Sequence, residues 1–201
     1  NNVAGTRLET RHRALYAANA TARVTEALSV TVDADGKILA IDVDDWTGIG
    51  PYSVYPRTSA IEGNQVVNLC GGPYDFANYR AQTTVVFQNK TPTCQYRAVG
   101  HPIAVAITEG LVDMAAAAIG MDPVEIRRRN MYPDDAYPVT SPAKMKFEGL
   151  SHHASMDKLI KMMDYDALRV DQAEARKQGK YRGIGIASFI ELTNPSPFMY
   201  G

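Results

Sequence analysis

Two cysteines, one tryptophan and four histidines in 201 residues leave little material for a disulfide framework or a metal cage. Cys70 and Cys94 form no paired metal motif, and such sparse cysteine use points to a reducing, cytoplasmic compartment. His12 and His101 are isolated, and His152-His153 are loop neighbours rather than a spaced ligand pair, so no metal ligand is expected. A formal net charge of −1 gives no electrostatic case for nucleic acid or an acidic membrane surface. No apolar stretch reads as long enough to span a membrane, which suggests soluble protein. Internal repeats and low-complexity linkers are absent. An initial methionine is lacking too, and the last residues follow closely on an apolar run, so the chain reads as an internal fragment.

What is present divides into blocks of distinct period. Residues 9–18 are compatible with a short helix. Val24, Glu26, Leu28, Val30 and Val32 then alternate with their neighbours as in a strand. Asp33-Ala34-Asp35-Gly36-Lys37 supplies turn residues before the run at 38–46, which together predict a β-hairpin. Residues 59–69 fit either a helix or an irregular lining segment, and 83–88 is a short strand rich in Thr and Val. From Pro102 the residues Ile103, Ile107, Leu111, Ala115 and Ile119 recur every four positions, predicting a helix whose stripe is buried. Gly120 is placed to end it in a left-handed cap. Asp122-Pro123-Val124-Glu125 opens another helix, with an N-cap, a first-turn proline and a glutamate able to reach back. Residues 133–149, interrupted by Pro138 and Pro142, read as a surface connection, with a candidate subdomain boundary at 133–150. Helices are predicted over 156–165 and 166–178, and a strand over 183–190. Strands and helices mix without regular alternation, so the fold class is α+β, with mixed sheets and packed helices.

The site-like stretch is Gln95-Tyr96-Arg97-Ala98-Val99-Gly100-His101-Pro102. Gly100 permits conformations closed to other residues, Pro102 suits a first helical turn, and Arg97 carries a permanently charged fork of donors. Such a loop at a helix start attracts anionic or electron-rich ligands. Arg127-Arg128-Arg129 fan around their helix near its negative end, which favours a structural role, although one of them could buttress a neighbouring loop. Cys94 lacks a nearby base and reads as a small buried residue.

The strand before 89, "NKTPT" at 89–93, "YRAVGHP" at 96–102, the long helix, "GMDPVEIRRRN" at 120–130 and "YRGIGIASFIE" at 181–191 together resemble the molybdenum-binding subunit of the xanthine dehydrogenase and aldehyde oxidase family. The resemblance is collinear along nearly the whole chain and strongest over 89–131. It implies a pterin-held molybdenum cofactor that carries the hard chemistry, with a glutamate base, while protein groups position and stabilise charge. By this resemblance Tyr96, Arg97 and Ala98 approach the cofactor, and Arg97 stabilises charge near its oxygen ligands. Val99 stands where some purine-oxidising members place a stacking aromatic ring, and Gln65 falls near the place of their pocket arginine. Both departures count against purine. His101 replaces a residue commonly Gly or Arg and is a candidate for tuning the pocket. Glu191 matches a region that can line the substrate funnel, and equally reads as a structural carboxylate. Ala98 stands where carbon monoxide oxidisers have a copper-supporting cysteine, which argues against that gas.

The resemblance leaves hydroxylation of an aromatic N-heterocycle or oxidation of an aldehyde, with electrons leaving through [2Fe-2S] clusters to FAD on partner subunits or domains. The cofactor is expected in its cytosine dinucleotide form and the assembled unit as a dimer. The family's glycine-rich loop, later pterin-binding loops and base glutamate lie outside these residues, so the piece alone is expected to be inactive. The competing reading is a non-catalytic scaffold from a degenerate or split homologue.

Overall fold

The computed structural model describes residues 6–17, 21–53, 60–93 and 98–191. Strands β1 (Thr6–Ala17), β2 (Thr21–Val32) and β3 (Ile38–Gly50) form an antiparallel meander, and β4 (Asn78–Phe87) joins β3 in parallel, giving the order β1-β2-β3-β4. The predicted hairpin is present: Val30 faces Ile41 and Leu28 faces Val43, with a bulge at Thr31/Val32. The helix expected over 9–18 is instead strand β1, paired with β2 from Thr6↔Val32 to Ala17↔Thr21. Its leucine, alanine and arginine residues favour a helix locally, but the long neighbouring edge of β2 supplies a partner for every residue, and that pairing overrides the propensity.

A parallel partner requires a crossover, and α1 (Ile61–Leu69) lies within it, resolving the segment left open between helix and lining. Above the sheet lies α2 (His101–Ile119), followed by α3 (Pro123–Asn130). Ile103, Ile107, Leu111 and Ala115 are buried together with Val30, Val32, Ile38, Ile41 and Val43, while Ile119 packs at the margin of this core. Full burial of one such aliphatic side chain stabilises by roughly 1.5–3 kcal/mol, so the stripe accounts for the seating of α2. By length and composition α2 is also apolar enough to cross a membrane, with 19 residues at mean hydropathy 1.6, contrary to the sequence reading. Its apolarity has a local explanation, because half of that window is buried inside this domain.

Gly120 ends α2 at φ 69°, as its position predicts. Asp122 caps α3, its Oδ1 accepting from the Val124 N–H at 2.8 Å and the Glu125 N–H at 3.4 Å. Glu125 does not reach back; its carboxylate accepts from Arg129 Nε at 2.6 Å, the i,i+4 alternative on the helix surface.

The connection over 133–149 contains a small hairpin of β5 (Val139–Thr140) and β6 (Lys146–Phe147), with Phe147 buried. Ser141 closes it, accepting from the Met145 N–H at its side chain and donating its own N–H to Met145 O. Helix α4 (His152–Met163) begins four residues before its predicted start, and α5 (Tyr165–Lys177) follows across Asp164, at φ 51°. The early start has a remote cause: the Asp134 carboxylate accepts from the His153 and Ala154 N–H groups at 3.2 and 3.1 Å, capping a helix 19 residues away. His152 and His153 therefore belong to a helical first turn rather than a loop.

Residues 183–190 form no strand with any described residue. The segment is irregular but alternates in burial, with Ile184 and Ile186 packed on the core and Phe189 exposed. Its pattern has the period of a strand, but a strand also needs a neighbouring backbone edge.

Candidate functional site

The end of β3 and the loop after β4 build the floor of the site. Gln88 N–H donates to Gly50 O at 2.9 Å, Thr93 N–H to Ile49 O at 3.0 Å, and Lys90 Nζ to Gly48 O at 2.8 Å. Gly50 sits at φ 93°, and a Cβ there would lie 2.6 Å from Pro92 Cα, so the motif at 89–93 lies directly on the glycine-punctuated end of the strand.

The chain is next described at Ala98. Tyr96, Arg97 and Cys94 lie outside the described residues, so only the second half of the predicted site loop has a described geometry. That half is a tight turn with left-handed residues at Ala98 (φ 48°) and Gly100 (φ 74°). His101 N–H donates to Ala98 O at 2.9 Å, and Ala104 N–H donates to Gly100 O at 3.0 Å as α2 begins. His101 is buried and its Nδ1 lies 3.0 Å from Val99 O. Because a carbonyl only accepts, Nδ1 carries the hydrogen.

Gly100 is the point where α1 meets this turn. A Cβ there would stand 2.6 Å from Gln65 Cβ, 2.8 Å from Glu62 O and 2.9 Å from Val66 N, in a conformation that L side chains rarely adopt. Only glycine satisfies both demands. The structure thus brings the buried Gln65 together with Ala98, Val99 and His101, four residues singled out from sequence. Glu191 is not gathered with them. It is exposed and follows Phe189, whose carbonyl lies 3.4 Å from His152 Nε2.

Between α1 and β3 lies an acidic cluster, with Asp45 buried at its centre, that the sequence reading passed over. Asp45 is fully buried; its Oδ2 accepts from Thr47 Oγ1 at 2.9 Å and from Thr83 Oγ1, while Oδ1 has no partner among the described residues. Burial pushes its carboxyl above the usual range, the two threonine hydroxyls oppose this, and Asp44 adds to it. Glu62 is raised as well, by burial and then by Asp45, against the opposing pull of Lys90. Gly63 allows α1 to lie this close, since a Cβ would stand 2.9 Å from Asp45 Oδ2. The signal was available: Ile41, Val43, Asp45 and Thr47 share one face by strand alternation, which places an acid in the core.

A second buried network fixes α2 to α3. Arg127, fully buried, donates from Nε to Glu109 Oε2 at 2.9 Å and from a terminal nitrogen to Asp113 Oδ1 at 2.7 Å; Tyr74 OH donates to Glu109 Oε1 at 2.7 Å. Burial raises the Glu109 carboxyl, with Arg127 and Tyr74 opposing it, and the Ser188 backbone also contributes a hydrogen bond. The structural reading of the arginine run holds for all three residues, since Arg128 pairs with Asp157 and Arg129 with Glu125.

Among the described residues no group of three or more His, Cys, Asp or Glu is arranged to hold a metal. The turn offers instead small side chains, a buried amide at Gln65 and the start of a 19-residue helix that no side chain caps. The His101 N–H is committed to Ala98 O and Pro102 has none, so the turn presents chiefly small side chains beside the Gln65 amide, a set that suits contact with an organic cofactor rather than ligation of a bare ion.

Comparison with known proteins defines that cofactor class. Residues 7–131 match the molybdopterin cofactor-binding domain. The chain belongs to this family. It is 33% identical over 175 residues to the large subunit of nicotine 6-hydroxylase from Paenarthrobacter nicotinovorans, covering 86% of this chain and 21% of that one. To the aldehyde oxidoreductase of Megalodesulfovibrio gigas it is 32% identical over 154 residues, covering 76% and 16%. The crystal structure of quinoline 2-oxidoreductase from Pseudomonas putida 86 superposes with a TM-score of 0.75 at 31% identity, covering 83% and 21%. The chain therefore spans about a fifth of the length of these relatives.

Proposed function

We propose that this chain is the pocket-loop portion of a molybdenum hydroxylase that oxidises an aromatic N-heterocycle or an aldehyde with oxygen derived from water. The observation that carries the reading is the glycine-hinged turn at 98–101, seated on Gln65 within a molybdopterin cofactor-binding domain. Relatives named for nicotine, quinoline and aldehyde chemistry support this substrate range. When bound, the molybdenum cofactor supplies the oxygen-transfer and electron-accepting chemistry.

The residues of the chain bind and orient. Tyr96, Arg97 and Ala98 contact the cofactor, and Arg97 stabilises charge developing near it. Val99 and Gln65 shape the substrate pocket, His101 tunes it from within the turn, and Glu191, apart from this cluster, lines the outer funnel. Val99 offers no ring face for stacking, Gln65 no charge for a purine oxygen, and Ala98 no thiol. These properties support a neutral heteroaromatic or aldehyde over purine or carbon monoxide. The proposal includes the cytosine dinucleotide form of the cofactor, iron–sulfur and FAD-binding partner subunits or domains, a dimer of the assembled unit and a cytoplasmic location consistent with sparse cysteine.

The test is to assemble the full-length protein with its partner subunits, measure molybdenum, and assay quinoline, nicotine and benzaldehyde with an artificial electron acceptor. Stoichiometric molybdenum and turnover of at least one substrate are expected, and Arg97→Ala is expected to lower kcat about a hundredfold or more with molybdenum retained. A complete complex without molybdenum or turnover would make the chain a scaffold.

A further inference from the structure

The turn at 98–101 has two left-handed residues, and only one of them is glycine. A non-glycine residue there is held at a cost of about 1–2 kcal/mol, and such a conformation persists only where its surroundings over-determine it. Two of the hydrogen bonds that close the turn come from one residue: His101 donates its backbone N–H to Ala98 O at 2.9 Å and its ring Nδ1–H to Val99 O at 3.0 Å. The first closes the four-residue turn around Val99 and Gly100. The second bends the ring back over the turn and fixes the plane of the Val99 carbonyl. Burial of the ring and the contact of Gly100 with α1 leave the side chain little freedom to leave this arrangement.

We propose that His101 is a positioning residue, a clamp whose Nδ1–H holds the Val99 carbonyl and so sets the direction in which the Val99 side chain enters the pocket. It acts through Val99 and does not itself touch substrate. An unclamped turn would let Val99 sample several orientations, which weakens substrate binding more than it slows the chemical step. The activity part of this inference rests on the hydroxylase reading, whereas the clamp itself does not.

Two near-isosteric substitutions separate the ring nitrogens. Asparagine places its amide near Nδ1, and glutamine reaches toward Nε2. In the full-length complex, His101→Asn, His101→Gln and His101→Ala are compared by hydrogen–deuterium exchange over 98–104, by molybdenum content and by kcat and KM for quinoline and benzaldehyde. His101→Asn is expected to stay within about twofold of wild type. His101→Gln and His101→Ala are expected to exchange faster at 101–104, and to raise KM, by roughly three- to tenfold with molybdenum retained, the size of one net hydrogen bond. If glutamine preserves both readouts and asparagine loses them, the ring acts through Nε2 and the clamp is wrong. Equal exchange and KM in all three variants also overturns it. Should the exchange pattern appear while wild type carries no molybdenum and turns nothing over, the clamp stands and the hydroxylase reading fails.

Discussion

Helices α2 and α3 stand on their own contacts, whereas α4 and α5 do not. α2 buries ten of its 19 residues, against Met156 alone in α4 and only Tyr165 and Ala175 in α5. On the second pair Met162 is 75% exposed and Val170 65%. What joins the two pairs is a mixture of polar pairs and a few apolar contacts: Tyr165 OH donates to Asp122 Oδ2 at 2.9 Å, Arg169 lies 3.6 Å from the same oxygen, Arg128 pairs with Asp157, and Met156 and Tyr165 reach the core. Native stability is therefore graded within one chain. The half that carries the turn at 98–101 is a packed core, and the half after residue 132 is attached to it by a few polar pairs and a thin apolar seam that includes Met156, Tyr165, Ile184 and Ile186.

The hardest blow to this contrast is Arg127→Ala. It leaves the raised Glu109 carboxyl buried without its cation, so a loss of about 3–5 kcal/mol is expected in denaturant titration, with both helix pairs unfolding together. Next is Gly100→Ala, which combines a left-handed alanine with the collision against Gln65 and Glu62. A loss of about 2–4 kcal/mol is expected, with molybdenum loading of the full-length protein falling in step.

Asp122→Ala sharpens the comparison. It removes the cap of α3 and the anchor of Tyr165, at about 1–2 kcal/mol, and hydrogen exchange should rise across α4 and α5 before it rises in α2. Uniform exchange would mean that the two pairs form one cooperative unit. The smallest effect is a gain. The Asp45 carboxyl, raised by burial, holds its proton more tightly in the native state. Its contribution is therefore fully present below the ordinary carboxylate range and is lost as pH rises through the raised native value. Asp45→Asn retains an oxygen for Thr47 and Thr83, so a stabilisation of roughly 1 kcal/mol is expected at pH 7, fading toward pH 3. A variant less stable than wild type at pH 7 would show that the ionised form is the one the site is built for.

The same division runs through what the sequence reveals. The hairpin, the buried stripe of α2, the Gly120 terminus and the Asp122 cap were legible because each is set by residues within a few positions of one another. β1 was not, since its local composition is helical and its strand state depends on β2. The start of α4 depends on Asp134, and residues 183–190 have the alternation of a strand without an adjacent edge. At the site, Gly100 was legible as a hinge, but its close approach to Gln65 was not, because α1 and the turn meet only in three dimensions. Arg127 was read as one charge in a run near a helix end. Its burial follows from Glu109 and Asp113 one helix away, whose spacing from it carries no local signature.

The side chain of Asn130 gives the domain a schedule. Fully buried, it accepts from the Ile38 N–H at 2.7 Å and donates to Gly36 O at 2.7 Å, tying the hairpin turn to a residue 92 positions later. At about 5–20 residues per second, a ribosome needs on the order of 5 to 20 s to deliver Asn130 after the hairpin has been made. For most of that interval Val30, Val32 and Ile38 lack α2, and throughout it the turn has no lock. The nascent chain therefore passes through a period in which the apolar face of its hairpin is open to chaperones; that exposure ends as α2 packs, and the lock closes only when α3 follows.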